Sequence, residues 1–335
     1  MTRALITGVT GQDGSYLAEL LLERGYEVHG ITRRVSGDDV CNIQHILSRV
    51  SLHNVDLLDG DAIANVVADV RPCEIYNLAS QSSVHESWQH PVTTSEVTAL
   101  GVTTMLDVVR KMDSGIRFFQ ASSSEIFGIG LGLPLNEKSP LNPVTPYGVS
   151  KAYAHFMTAC YREKHGLFAC SGILFNHESE RRGLHFATRR ISDGVARIRA
   201  GLQSELHLGD LRAKRDWGFA EDYVRAMWLM MQKDSPADFV IGTGELHSVA
   251  DFVEVAFQHA GLEWQRFVKT SPELCRPTER YDRVADARMA RDELGWIPQV
   301  DFEALVKRMV DADMHRYGIT NTGESFRQSR IQASA

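Results

Sequence analysis

Seven residues near the N-terminus, Gly8-Val9-Thr10-Gly11-Gln12-Asp13-Gly14, set the tightest limit on what this chain can fold into. They follow a short apolar run, Arg3–Thr7 (RALIT), and precede Ser15–Arg24, whose leucines recur at helical spacing. A glycine-rich turn between a strand and a helix is the context in which such a motif binds a dinucleotide. The glycines let the backbone turn sharply and approach a pyrophosphate. The helix start contributes unpaired N–H groups and the positive end of its dipole. The spacing is GxxGxxG rather than GxGxxG, and Gly8, Thr10, Gly11, Gln12, Asp13 and Gly14 are the candidate phosphate contacts.

The pattern then repeats. Further strands are expected at Glu27–Thr32, Ser51–Val55, Glu74–Asn77 and Arg117–Ala121, with helices at Ala62–Val70 and Val92–Lys111 between them. Strands alternating with helices imply βαβ units and a parallel sheet, so the expected fold class is α/β, a Rossmann-type doubly wound sheet. Gly128–Pro146, rich in Gly, Pro and Asn, reads as a loop, and Pro146 suits the start of a helix over Tyr147–Lys164. A strand over Gly166–Leu174 is expected to close the sheet. Helices at Thr188–Ala200, Ala220–Gln232, Val249–His259, Ala287–Leu294 and Phe302–His315, with short strands among them, read as a smaller mixed α/β substrate-binding part. The expected division is a cofactor-binding domain over 1–175, joined again by about 210–245, a substrate domain mainly over 176–320, and a mobile polar tail over 321–335.

Composition excludes several classes. The 335 residues carry 36 basic and 43 acidic side chains, a net charge of −7, which argues against a protein that coats nucleic acid. No run approaches the roughly 20 apolar residues of a membrane helix, and the opening MTRALITGVTG does not read as a secretory signal. The five cysteines are scattered without a CxxC pair, as expected for reduced thiols in the cytoplasm. The 13 histidines include no HxH or HExxH spacing, so no metal is expected.

The second strand indicates which dinucleotide. An NAD binder usually carries an acid about 20 residues beyond the glycine loop, for the ribose 2′-hydroxyl. Here the strand ends Ile31-Thr32-Arg33-Arg34. Arg33 and Arg34 offer cations to a 2′-phosphate, which points to NADP. Asp56 and Leu57, after the third strand, fall where the adenine end should rest.

Tyr147 and Lys151 form a YxxxK pair on one face of a helix, where an ammonium can approach a phenol. A neighbouring cation favours the phenolate, which can then act as a base. The strand ending Gln120-Ala121-Ser122-Ser123-Ser124-Glu125 brings hydroxyls, and directly after them a carboxylate, to the same edge. Hydride transfer alone needs no carboxylate there. Elimination of water does, because a carbon-bound proton must be removed and a departing hydroxyl protonated.

These segments together resemble the extended short-chain dehydrogenase/reductase family, and within it the GDP-mannose 4,6-dehydratase family. The resemblance runs from about Arg3 to Pro298. It rests on Gly8–Ile31, YNLASQSSV (Tyr76–Val84), SSSEIFG (Ser122–Gly128), PYGVSKAYA (Pro146–Ala154), GILFNHES (Gly172–Ser179), AKRDWGFAEDYVRAMWLM (Ala213–Met230) and RPTE (Arg276–Glu279). It implies a redox-neutral lyase acting on a GDP-sugar with bound NADP. Ser123, Glu125, Tyr147 and Lys151 would be catalytic. Leu78, Ala79 and Gln81, with Tyr147 and Lys151, would contact the cofactor. Ser82, Asn176, Arg190, Arg215, Arg276 and Glu279 would contact the substrate. It also implies a homodimer or homotetramer in which Val35–Ile46 reaches a neighbouring subunit. A C4 epimerase or a 4-keto-sugar reductase would keep Tyr147, Lys151 and the glycine loop, which makes Glu125 the discriminating residue. Three segments depart from the family: Leu141–Pro146 has no arginine, Glu180 replaces a proline, and the apolar run after RPTE becomes Arg280-Tyr281-Asp282-Arg283-Val284-Ala285-Asp286. All three surround the expected pocket and leave the identity of the hexose and of the base open.

Overall fold

A computed structural model describes residues 1–33, 37–129, 134–274 and 282–319. Arg34, Arg276, Glu279 and the tail over 321–335 lie outside the described residues. The apolar runs read from the sequence become β1 (Arg3–Thr7), β2 (Glu27–Thr32), β3 (Val50–Asn54), β4 (Glu74–Asn77), β5 (Arg117–Ser123) and β6 (Ala169–Leu174). Shorter strands follow: β7 (Asn176–Glu178), β8 (Leu206–Leu208), β9 (Lys214–Arg215), β10 (Trp217–Phe219), β11 (Phe239–Ile241), β12 (His247–Ser248) and β13 (Val268–Thr270). The helices in the first half are α1 (Gln12–Glu23), α2 (Gly60–Val70), α3 (Val84–Gln89), α4 (Pro91–Ser95), α5 (Gly101–Met112) and α6 (Pro146–His165). Those in the second half are α7 (Ala187–Arg199), α8 (Ala220–Met231), α9 (Val249–His259), α10 (Arg288–Leu294) and α11 (Phe302–Arg316).

The main sheet has the order β11-β6-β5-β4-β1-β2-β3, and every pairing is parallel. Strand order reverses between β1 and β4, the switch point outside which ligands of doubly wound sheets bind. Both faces are covered, which is why the strands read as continuous apolar runs. Phe118 and Phe119 show the alternation. Phe118 packs with α2 and α5 side chains such as Val67 and Leu106, and Phe119 packs on the opposite layer with Tyr76 and Cys170. Each ring is fully buried, worth about 1.5–3 kcal/mol.

Three differences from the periodic reading have local causes. The span Val92–Lys111 is not one regular helix: α4 passes through a π-helical turn, Glu96–Leu100, into α5. The strand expected over Gly166–Leu174 starts at Ala169, because Gly166 takes a left-handed conformation (φ 66°) that ends α6. That strand does not close the sheet; β11 pairs outside it, Phe239–Ile241 against Gly172–Leu174. Helix α8 packs on α1, and α7 on α11. Of the expected inter-subunit arm, Val35 and Ser36 lie outside the described residues. The rest lies within a run of 3₁₀ turns, Gly37–Arg49, beside α1 of its own chain. There Val40, Ile43 and Ile46 are buried, and Asn42 Nδ2 donates to the Thr10 carbonyl at 3.1 Å. No helix among the described residues is long and apolar enough to cross a membrane.

Candidate active site

The loop between β1 and α1 forms one wall of a cleft of about 450 Å³. Gly8 turns with φ +70°, and a Cβ at Gly14 would collide with the Gly8 carbonyl and stand 2.7 Å from Val9 Cα. The cradle is therefore open only because these positions are glycine. No side chain caps α1, which leaves its first-turn amides available to an anion. Thr10, Gly11, Gln12 and Asp13 line the same cleft, with Thr32 and Arg33 at the end of β2 and Asp56 and Leu57 after β3. Leu78 and Ala79 complete the wall beyond β4, where their amides donate to Thr7 Oγ1 at 3.1 and 3.0 Å. This concave, glycine-floored cleft fits an extended dinucleotide. Gln81 is not among the residues lining it; its amide nitrogen donates to the Ser83 carbonyl and to Glu86 at 3.1 and 3.2 Å.

A second cavity of about 230 Å³ adjoins the first, with Asp13, Leu78, Ser80, Ser82 and Arg182 lining both. Ser123, Glu125, Tyr147 and Lys151 meet here. Strand β5 runs to Ser123, whose hydroxyl accepts from the Glu125 amide at 3.2 Å and starts the 3₁₀ turn Ser124–Phe127. Thr145 caps α6, accepting from the Gly148 amide at 2.9 Å, and Pro146 occupies the first turn, so Tyr147 enters the cavity from a fixed helix end. Lys151 Nζ lies one turn on, 5.7 Å from the centre of the Tyr147 ring, and donates to the Ala121 carbonyl at 2.8 Å.

The two side chains are tuned in opposite directions from what each does in water. Burial pushes the Tyr147 phenol up to about 12, opposed by its hydrogen bond with Ser123 and assisted by the Glu125 carboxylate. Burial also pushes the Lys151 ammonium down to about 8.

The far side of the cavity comes from the second half of the chain. Asn176, His177 and Glu178 enter on β7, Arg215 on β9 and Trp217 on β10. His177 joins the two clefts: Nδ1 donates to the Phe175 carbonyl at 2.7 Å and Nε2 to Asp13 at 2.9 Å. Burial alone would lower its basicity, but the Asp13 charge and hydrogen bond raise it. Burial would raise the Asp13 carboxyl, yet His177 and Gln12 hold it at about 2. Arg190 sits elsewhere. It is not among the residues lining either cavity, and its guanidinium donates to the His207 carbonyl at 3.0 Å.

Among the wall residues not singled out from the sequence as site residues are two arginines. Arg182 borders both cavities, pairs with Glu178 at 3.2 Å and stacks on Phe186. Arg283 borders the inner cavity and is ion-paired to Glu125. The signal for Arg283 was the polar run Arg280–Asp286, where the family pattern is apolar.

A glycine cradle at the switch point of a parallel sheet, continuous with a serine, tyrosine and lysine cluster, defines a dinucleotide-dependent enzyme of the extended short-chain dehydrogenase/reductase class. Residues 5–309 match the GDP-mannose 4,6 dehydratase family. The chain is 48% identical over 323 residues to GDP-mannose 4,6 dehydratase 2 of Arabidopsis thaliana, covering 93% of this chain and 86% of that protein. It is 44% identical over 338 residues to the Homo sapiens GDP-mannose 4,6 dehydratase, with 93% and 91% covered. In three dimensions it superposes on the UDP-glucose 4-epimerase of Thermus thermophilus, solved in complex with NAD, with a TM-score of 0.82, 26% identity, and 93% and 99% covered. The chain belongs to the GDP-mannose 4,6-dehydratase family.

Proposed function

We propose that the protein is an NADP-dependent hydro-lyase that converts GDP-mannose to GDP-4-keto-6-deoxymannose. The observation that supports this reading best is the carboxylate of Glu125 facing the same cavity as Tyr147 and Lys151. Gly8–Gly14, Thr32, Arg33, Asp56, Leu57, Leu78 and Ala79 would hold the dinucleotide, with Arg33 on the 2′-phosphate. A bound nicotinamide dinucleotide supplies the acceptor for hydride from C4 and its donor to C6, and ends the cycle as it began.

The chain's own residues do the rest. Tyr147 takes the proton of the C4 hydroxyl at its phenolate oxygen. Ser123 hydrogen-bonds that oxygen, and the Lys151 ammonium stabilises the charge on it. Oxidation to the 4-ketone makes the C5 hydrogen acidic. The Glu125 carboxylate removes it, and the resulting carboxylic acid protonates the departing C6 hydroxyl, releasing water; when C6 is reduced, C5 takes up a proton, balanced by the one Tyr147 took from the C4 hydroxyl, and Tyr147 returns to its phenolate. Positioned proton transfer of this kind contributes about 10²–10⁴-fold. Asn176, Ser82 and Arg215 line the cavity where the sugar nucleotide would lie, the arginine suiting a phosphate.

The test is Glu125→Gln, loaded with NADP⁺ and given GDP-mannose. C4 oxidation should proceed and reduced nicotinamide should accumulate, while water loss falls at least about 10²-fold. Water loss at the wild-type rate would defeat the assignment. Exposed apolar side chains on α6, Val149 and Phe156, support a homodimer or homotetramer, and light scattering in the presence of NADP⁺ tests it. Cys41, Cys73, Cys160 and Cys170 are unpaired, which supports a cytoplasmic setting.

A further inference from the structure

Arg283 is a buried cation in the wall of the inner cavity, and its surroundings hold it rigidly. Its neighbours are pinned: the Val284 carbonyl accepts from the Leu135 amide at 2.9 Å, the Asp286 amide donates to the Leu135 carbonyl at 2.8 Å, and the Ala285 amide donates to Asp216 at 3.0 Å. The Arg283 residue is 3% exposed. One guanidinium nitrogen donates to the Gly128 carbonyl at 3.1 Å and the other to Glu125 Oε1. Its Nε has no partner among the described residues. Other charges in the cavity are engaged elsewhere, Arg182 with Glu178 and His177 with Asp13.

A buried guanidinium with one carboxylate partner is retained at a cost unless the pair has a task, since two apolar residues of equal volume would often serve stability as well. One arm of the guanidinium is anchored on the Gly128 carbonyl and the other holds Glu125 Oε1, so the cation that meets the carboxylate is itself fixed in place. We propose that Arg283 is a positioning residue for Glu125: it grips one carboxylate oxygen so that the other is aimed at the C5 hydrogen and the C6 hydroxyl. The proposal deepens the reading of Glu125 as acid and base, and rests on it. A reacting group displaced by about 1 Å loses about 10²-fold in rate. Removing Arg283 should therefore slow water elimination and leave C4 oxidation, which Tyr147 and Lys151 govern, near its normal rate.

The experiment compares wild type, Arg283→Met, Arg283→Lys and Glu125→Gln, each loaded with NADP⁺ and mixed with GDP-mannose. Absorbance of reduced nicotinamide reports C4 oxidation, and mass spectrometry of the sugar nucleotide reports water loss. Expected for Arg283→Met is a near-normal burst of reduced nicotinamide that persists, with water loss about 10²-fold slower. Arg283→Lys, which keeps a charged donor, should recover at least about tenfold of that loss. Equal slowing of both steps, unrescued by lysine, would mean that Arg283 only supports the fold and would overturn the proposal. So would wild-type water loss in Arg283→Met. If Arg283→Met does not fold, Arg283→Gln, which keeps a donor for the Gly128 carbonyl, is held to the same outcome. Glu125→Gln separates the two readings. If it eliminates water normally, the reading of Glu125 fails and takes this one with it. If it is blocked while Arg283→Met is normal, only Arg283 loses its role.

Discussion

Replacing Lys151 by Met should make the protein more stable and less active. Lys151 is 4% exposed, and burial lowers its pKa from 10.5 to about 8. Below pH 8 the native state carries a charge it would rather lose, and the difference corresponds to about 3 kcal/mol of folding free energy withheld. Between pH 8 and 10.5 the unfolded chain binds a proton that the native state does not, so wild-type stability climbs with pH across that window. The Met variant lacks this climb and should be more stable by up to about 3 kcal/mol at pH 7, a rise of several degrees in Tm. The Ala121 carbonyl is not orphaned by the change, because Gln120 Nε2 also donates to it at 2.9 Å. Activity moves the other way. In the proposed oxidation the Lys151 ammonium, 5.7 Å from the centre of the Tyr147 ring, stabilises the phenolate. Its loss should slow C4 oxidation about 10²-fold. Urea unfolding at pH 7 and 10, alongside stopped-flow absorbance of reduced nicotinamide, measures both effects. A variant that is less stable at pH 7, or that oxidises C4 at the wild-type rate, would refute the reasoning.

Three further expectations follow from the same geometry. Gly14→Ala places a Cβ 2.7 Å from Val9 Cα, a displacement worth about 1–3 kcal/mol, so NADP⁺ affinity by calorimetry should fall about ten- to hundredfold; unchanged affinity would contradict the cradle. Arg33→Glu should weaken NADP⁺ at least about tenfold more than NAD⁺, the worth of a charge-assisted contact, and equal weakening would remove the 2′-phosphate assignment. The Asp13–His177 pair stabilises the fold above the ordinary carboxyl range, because Asp13 is depressed from 3.8 to about 2, and it loses that contribution as pH falls through the lower value. His177 is raised, so its share is complete below 6.5 and is lost as pH rises through its higher native value. His177→Asn should therefore cost more stability at pH 5 than at pH 9 in thermal unfolding, and an equal cost would show that the pairing is not electrostatic.

What the sequence made legible followed from strong local signals. The glycine loop, strands β1, β2 and β4, and the YxxxK helix each carry their instruction within a few residues. Strand β11 does not, because Phe239-Val240-Ile241 is too short to show a period, and only pairing with Gly172–Leu174 makes it the seventh strand. The π turn at Glu96–Leu100 is likewise invisible in a pattern that averages over a whole helix. The site divides in the same way. Ser123, Glu125, Tyr147 and Lys151 lie at the ends of regular elements, and the topology brings them together. The resemblance places Arg190 at the substrate and gives Arg283 no role, and the structure places both otherwise. Helix α7 brings Arg190 to the His207 carbonyl and the segment pinned to Leu135 brings Arg283 to Glu125, and both placements depend on long-range packing.

Elimination of water without net redox change is read by mass spectrometry of the sugar nucleotide after incubation with GDP-mannose and substoichiometric NADP⁺. Many turnovers are expected, each losing one water, with no accumulation of NADPH. GDP-mannose recovered unchanged, or product formed only in step with NADPH, would contradict it.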